Sequence, residues 1–151
     1  MTSTISAATL TVTHTEALTL NGVDRGVTNT FTVGSINEVD HRIMTCLHSG
    51  LQTVAVLSTA VAAGTYIKTN VKYIRLTNKD DTNFITIGFL AADNKSAYLK
   101  LEAGQTFTFY NDDLDCEDAS AAAFDSFSDI ATINAKADTA SCDLEVFIAS
   151  T

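Results

Sequence analysis

Lys72-Tyr-Ile-Arg-Leu-Thr-Asn78, Lys79-Asp-Asp-Thr-Asn83 and Phe84-Ile-Thr-Ile-Gly-Phe-Leu90 form the stretch that decides the fold. The first segment sets Ile74 and Leu76 in register on one face. The second is a run of turn-forming polar residues. The third is β-branched and aromatic, which suits a pleated, half-buried surface. Two such runs joined by a short polar link read as an antiparallel hairpin.

The pattern continues downstream. Asp93-Asn-Lys-Ser96 makes another turn, Tyr98–Leu101 a short strand, and Glu102-Ala-Gly-Gln105 a tight turn. Thr106–Tyr110 then puts Phe107 and Phe109 on one face. Ile130–Ala137 and Asp143–Ala149 return to strand, the latter with Leu144, Val146 and Ile148 inward.

Upstream, Thr9–Thr15 alternates strictly, with Leu10, Val12 and His14 opposite threonines. Ala17–Leu20 is a short strand, and Asn21-Gly22 and Asp24-Arg25-Gly26 are turns. Asn29–Val33 alternates around Phe31 and Val33, and Gly34–Asn37 reads as a loop. Val39–Leu47 sets Val39, His41, Ile43, Thr45 and Leu47 against Arg42, Met44 and Cys46. Leu51–Ser58 is a β-branched run, followed by a connection over Thr59–Gly64.

Short strands separated by turn signals predict an all-β domain, an antiparallel β-sandwich or jelly-roll-like barrel of about nine or ten strands. The exception is residues 119–130. There alanines behind Asp118 or Ser120 favour one short helix or loop insert. Met1–Ala7 reads as an N-terminal arm, and residues 8–151 as a single β-sandwich domain.

The chain has 151 residues, 46% hydrophobic and 18% charged, with a net charge of −9. It is long enough to bury a core without metal or disulfides. The acidic excess repels phosphate, so neither nucleic acid nor an anionic membrane is expected as a partner. Threonine is abundant and proline absent, so sheet edges lack their commonest guard. Cys46, Cys116 and Cys142 match no zinc spacing. Free thiols in a reducing compartment are expected, with one bridge plus a spare as the alternative. The first residues carry neither a basic segment nor a long apolar run. No signal peptide is therefore expected, and the product is expected to be soluble and made in the cytoplasm.

Candidate chemistry is sparse. His14 lies near Glu16 and His41 near Asp40, but a metal site needs ligands converging from separate strands. His14 reads better as a partly buried structural histidine. Asp112, Asp113, Asp115, Glu117 and Asp118 offer hard oxygens for calcium, without the EF-hand glycine or closing glutamate. A solvated acidic patch, or one facing a partner's lysines, fits them better. Cys46 and His48 lie two apart in a strand, with no orienting residue for a nucleophile. No glycine-rich phosphate loop or nucleophile elbow is present. No enzyme activity, catalytic residue, metal or cofactor is therefore expected. Tyr66, Tyr73, Tyr98 and Tyr110 are candidate sugar platforms, although tryptophan is absent.

Val71-Lys-Tyr-Ile-Arg-Leu-Thr-Asn78, Asn83-Phe-Ile-Thr-Ile87 and Leu101-Glu-Ala-Gly104-Gln-Thr-Phe107 resemble small virion structural proteins of tailed bacteriophages, most closely capsid decoration (cement) proteins. Ala8–Gly22 and Val39–Met44 share the style. The resemblance implies a jelly-roll or related sandwich without enzyme activity. It also implies a homo-oligomer, a trimer or another small oligomer, seated on the outer capsid surface and stabilising major capsid protein contacts. The alternative it leaves is a tail or fibre-associated structural or glycan-binding module. No family residue carries over individually.

Overall fold

The computed structural model describes residues 4–93, 95–109, 115–116 and 128–151. They form an all-β fold of two facing sheets with a long two-stranded ribbon laid partly over one of them. The strands are β1 (Ala8–Glu16), β2 (Thr19–Leu20), β3 (Val23–Asp24), β4 (Val27–Ile36), β5 (Glu38–Cys46), β6 (Gln52–Ser58) and β7 (Thr65–Ile67). A 3-10 turn, Lys68–Asn70, follows. Then come β8 (Val71–Asn78), β9 (Ile85–Ala91), β10 (Ser96–Leu101), β11 (Thr106–Phe109), β12 (Asp115–Cys116), β13 (Ser128–Ala137) and β14 (Cys142–Ser150).

The front sheet has the order β11-β8-β14-β5, and the back sheet β10-β9-β13-β6-β7, with β12 added beside β13. Pairing is antiparallel except for β6 with the short β7, which is parallel. The sheets do not close, so the sandwich is the correct member of the expected pair and the barrel is not. The strand segments outnumber the nine or ten expected because β2, β3, β7 and β12 are only two or three residues long. The insert expected near residues 119–130 lies mostly outside the described residues. Its end, residues 128–130, is strand because β13 starts at Ser128. Gly34–Asn37 is not a loop: β4 runs on to Ile36, with Ser35 at a φ of 60°.

Alternation built the core as the pattern requires. Ile74 and Leu76 of β8, Ile85 and Ile87 of β9, Ile133 of β13, and Leu144, Val146 and Ile148 of β14 are all buried between the sheets. Phe89, Phe107 and Phe109 close one flank, with ring centroids 5.7–6.1 Å apart. The opposite flank is closed by polar groups. Arg42 pairs with Asp40 on β5 and donates to the Tyr66 hydroxyl and the Val54 carbonyl, while Tyr66 donates to Asp40. This latch explains why Asp40 and Arg42 share the inner face of an edge strand without being stranded charges.

Asn78 is fully buried, and its amide is fully used. Nδ2 donates to the carbonyls of Asn83 (2.8 Å) and Leu101 (3.1 Å), and Oδ1 accepts from the Asp80 amide (3.0 Å). One side chain therefore pins the β8–β9 turn to the end of β10. Asp80 holds the same turn by accepting from the amides of Asn83 and Thr82, and those bonds keep its carboxyl below the ordinary carboxylate range.

Candidate functional site

The outer face of the front sheet is where the fold is unfinished. Strand registers set its rows. Thr106, Thr77, Glu145 and Ile43 form one row across β11, β8, β14 and β5. Thr108, Arg75, Phe147 and His41 form the next. Tyr73, Ala149 and Val39 form a third. The β1–β4 ribbon lies over the third row and part of the second. Leu10, Val12, Phe31, Val33 and Ile36 pack there on Tyr73, Ala149 and Phe147. Tyr73 and Phe147 meet edge-on, with centroids 6.0 Å apart.

Because the ribbon covers only part of the face, a groove of about 420 Å³ is left along β1. Its wall is Leu10–His14, its floor Tyr73, Arg75 and Phe147, and its far rim Thr106 and Thr108 of β11. That volume falls within the usual range for ligand clefts, roughly 300–1,000 Å³. The lining is aromatic, aliphatic and hydroxylic, with the Arg75 guanidinium and the His14 imidazole as its basic groups and no acidic residue in it.

Beside the groove, Glu145 gathers three basic side chains. His41 Nε2 lies 2.8 Å and Arg75 Nη2 2.7 Å from Oε1, and Lys79 Nζ lies 3.8 Å from Oε2. The hydrogen bonds from His41 and Arg75 hold the Glu145 carboxyl below the ordinary carboxylate range. Its charge is thus consumed on the face, and Arg75 is fixed with its guanidinium carbon over the Phe147 ring, 5.8 Å from the centroid.

From Thr13 to Thr30 every residue is exposed, so the ribbon leaves the body and projects. A strand rises about 3.3 Å per residue, which carries the tip roughly 20 Å beyond His14. Thr13–Thr30 and Thr15–Thr28 hydroxyl contacts, at 3.1 and 3.3 Å, line one side of it. Asn21 and Gly22 both have positive φ (52° and 77°), which makes the two-residue hairpin turn that the Asn-Gly pair predicts. The tip carries Leu18, Leu20, Val23 and Val27, each 49–55% exposed.

The residues singled out in the sequence are dispersed. His14 is exposed, not partly buried, because β1 is leaving the body there; its ring stacks on Phe31 with centroids 6.0 Å apart. Its neighbour Glu16 is exposed farther along the ribbon. His41 joins Glu145, whereas the adjacent Asp40 points inward to Arg42. Cys46 is buried, and His48 is exposed beyond the end of β5, so the two do not share a site. Among the described residues, no group of three or more His, Cys, Asp and Glu is placed to hold a metal. Asp112, Asp113, Glu117 and Asp118 lie outside the described residues, and Asp115 starts β12. Cys46 and Cys142 are free and buried.

The tyrosines also separate. Tyr66 belongs to the latch, Tyr73 lies under the ribbon, and Tyr110 is outside the described residues. Tyr98 is 64% exposed on the back sheet, its ring against Gly88. The ribbon tip and the Glu145 cluster were not singled out in the sequence. Outward parity of Glu145 between Leu144 and Val146, and of Arg75 between Ile74 and Leu76, was the available signal. Comparison of the chain with protein-family models, with curated proteins and with solved structures finds no match.

Proposed function

We propose that the chain is a non-enzymatic assembly subunit of a bacteriophage virion, a capsid decoration protein. It would form a homo-oligomer, a trimer in this reading, on the outer surface of the head and stabilise contacts of the major capsid protein. The observation that carries the reading is the projecting ribbon with its four half-exposed aliphatic residues at the tip. An isolated two-stranded ribbon is marginally stable in water, and an apolar tip on one is a cost without a partner surface to cover it. An acidic body suits a shell's outside better than a wall facing DNA. Dispersal of the tyrosines favours this reading over the glycan-binding alternative.

The test is cosedimentation with heads assembled from the major capsid protein encoded with this chain. Wild-type protein is expected to pellet with the heads, and Leu20→Asp with Val23→Asp to stay in the supernatant while remaining folded. Retention of both proteins in the supernatant, or pelleting of both alike, would overturn the reading. Pelleting with tails in place of heads would support the tail-associated alternative.

A further inference from the structure

We propose that the groove along β1 is an acceptor for an extended strand from a second copy of this chain, the segment Thr4–Ala7. The inference deepens the assembly reading above by naming the surface through which copies join, and it makes no use of the ribbon tip.

The acceptor is an open strand edge. Among the described residues β1 pairs with β4 alone, so alternate amides and carbonyls of Leu10–His14 have no ladder partner on the groove side. Among the described residues nothing guards that edge. From Thr9 to Thr15 there is no proline and no lysine, and register with β4 is regular from Leu10 to Glu16. Edges of this kind accept a further strand through main-chain hydrogen bonds, with side-chain pockets adding selectivity. The aromatic floor of Tyr73 and Phe147 supplies the pocket.

The donor has the complementary properties. Thr4–Ala7 is exposed and without regular structure, and Ile5 is 70% exposed. Polar and apolar residues alternate in it, so an added strand would turn Ile5 and Ala7 to one face and Thr4 and Ser6 to the other. Charge favours the same pairing. Two bodies of net charge −9 repel, yet residues 1–15 contain no Asp, Glu, Lys or Arg, and the groove lining contains no acid. The contact joins the two surfaces that the acidic excess spares.

The chain's own segment does not reach this edge. Ala8 is already in β1, paired with Ile36. Turning back onto Leu10–His14 needs a tight reversal within Ile5–Thr9, which has no Gly, Asn, Asp or Pro and only Ser6 as a turn-favouring residue. A second copy meets no such constraint.

The test uses the full chain and mass measurement in solution by light scattering. Wild type is expected to self-associate. A chain lacking residues 1–7, Ile5→Asp, and Thr106→Arg at the exposed groove rim are each expected to weaken association at least tenfold. Mixing the shortened chain, which keeps the groove, with Thr106→Arg, which keeps the donor, should restore a one-to-one pair. A mixture of Ile5→Cys chains and Thr108→Cys chains should oxidise to a covalent heterodimer. A monomeric wild type overturns the proposal. So does formation of an intramolecular disulfide in a single chain that carries both Ile5→Cys and Thr108→Cys, or loss of association in Leu20→Asp but not in Ile5→Asp. Failure to bind heads with self-association intact would count against the decoration reading alone.

Discussion

Arg75 donates from Nη2 to Glu145 Oε1 at 2.7 Å, two residues off direct opposition across β8 and β14. His41 reaches the same oxygen, and together they lower the Glu145 carboxyl. A carboxyl lowered by folding contributes stability above its unfolded value, about 4.3, and that contribution is lost as pH falls through the lower folded value. Glu145→Gln should therefore cost about 1–2 kcal/mol at pH 7. The gap from wild type should narrow steadily below about pH 4. Thermal unfolding from pH 7 to pH 2.5 measures it, and a gap independent of pH would refute the assignment.

Cys142 stands opposite Cys46 in the β14–β5 register, and both thiols are buried. Burial, then the neighbouring Cys142 and Asp143, push the Cys46 thiol up to about 11. Burial first, then Asp80, also raises Cys142. Alkylation needs the thiolate, so neither residue should react with iodoacetamide at pH 8 in the native protein. Both should react at once in denaturant. Peptide mapping after brief labelling distinguishes the two, and rapid native labelling at either site would contradict the burial.

Asn78 is the polar residue on which one end of the sandwich depends. Asn78→Ala leaves the carbonyls of Asn83 and Leu101 without their donor and the Asp80 amide without its acceptor. A stranded buried group costs roughly 1–3 kcal/mol, and partial access of water to the turn keeps the sum near the upper end of a single such loss. The expected destabilisation is about 3 kcal/mol in urea unfolding, with the slope unchanged. A value below about 1 kcal/mol would mean that the turn is held by Asp80 alone.

Local alternation made the inner faces legible. Leu144, Val146 and Ile148, and Ile74 with Leu76, fall where a period of two puts them. What stayed hidden was decided at long range. Tyr73 has the sequence of an exposed platform but is buried, because a ribbon from the start of the chain folds over it. Arg42 and Asp40 look like a surface pair until Tyr66, from the other sheet, is seen between them. The three-residue β7 carries too little pattern to be read, and its parallel pairing with β6 follows no hairpin signal. The candidate site was the least legible part: Arg75 and Glu145 are far apart in the chain, and only the β8–β14 register joins them.

Gly26 separates the ribbon's stability from that of the body. A Cβ there would stand 2.5 Å from the Glu16 carbonyl oxygen and 3.2 Å from Asp24 Oδ1, which accepts from the Gly26 amide. The backbone oxygen has no room to yield without parting the strands where β1 passes into the tip. Gly26→Ala should therefore loosen residues 17–27 while the core between the sheets stays intact. Hydrogen exchange is the direct measurement. Amides of the tip should exchange about tenfold or more faster, a local loss of at least about 1.4 kcal/mol, with Ile74, Ile87 and Val146 unchanged. If the chain is a decoration protein as proposed, head binding should fall with the tip, since a frayed ribbon has to be reordered before Leu20 and Val23 meet a surface. Self-association through the β1 groove should survive, because Leu10–His14 lie on the body side of the break. A uniform rise in exchange across both sheets would show instead that the ribbon and the sandwich unfold as one unit.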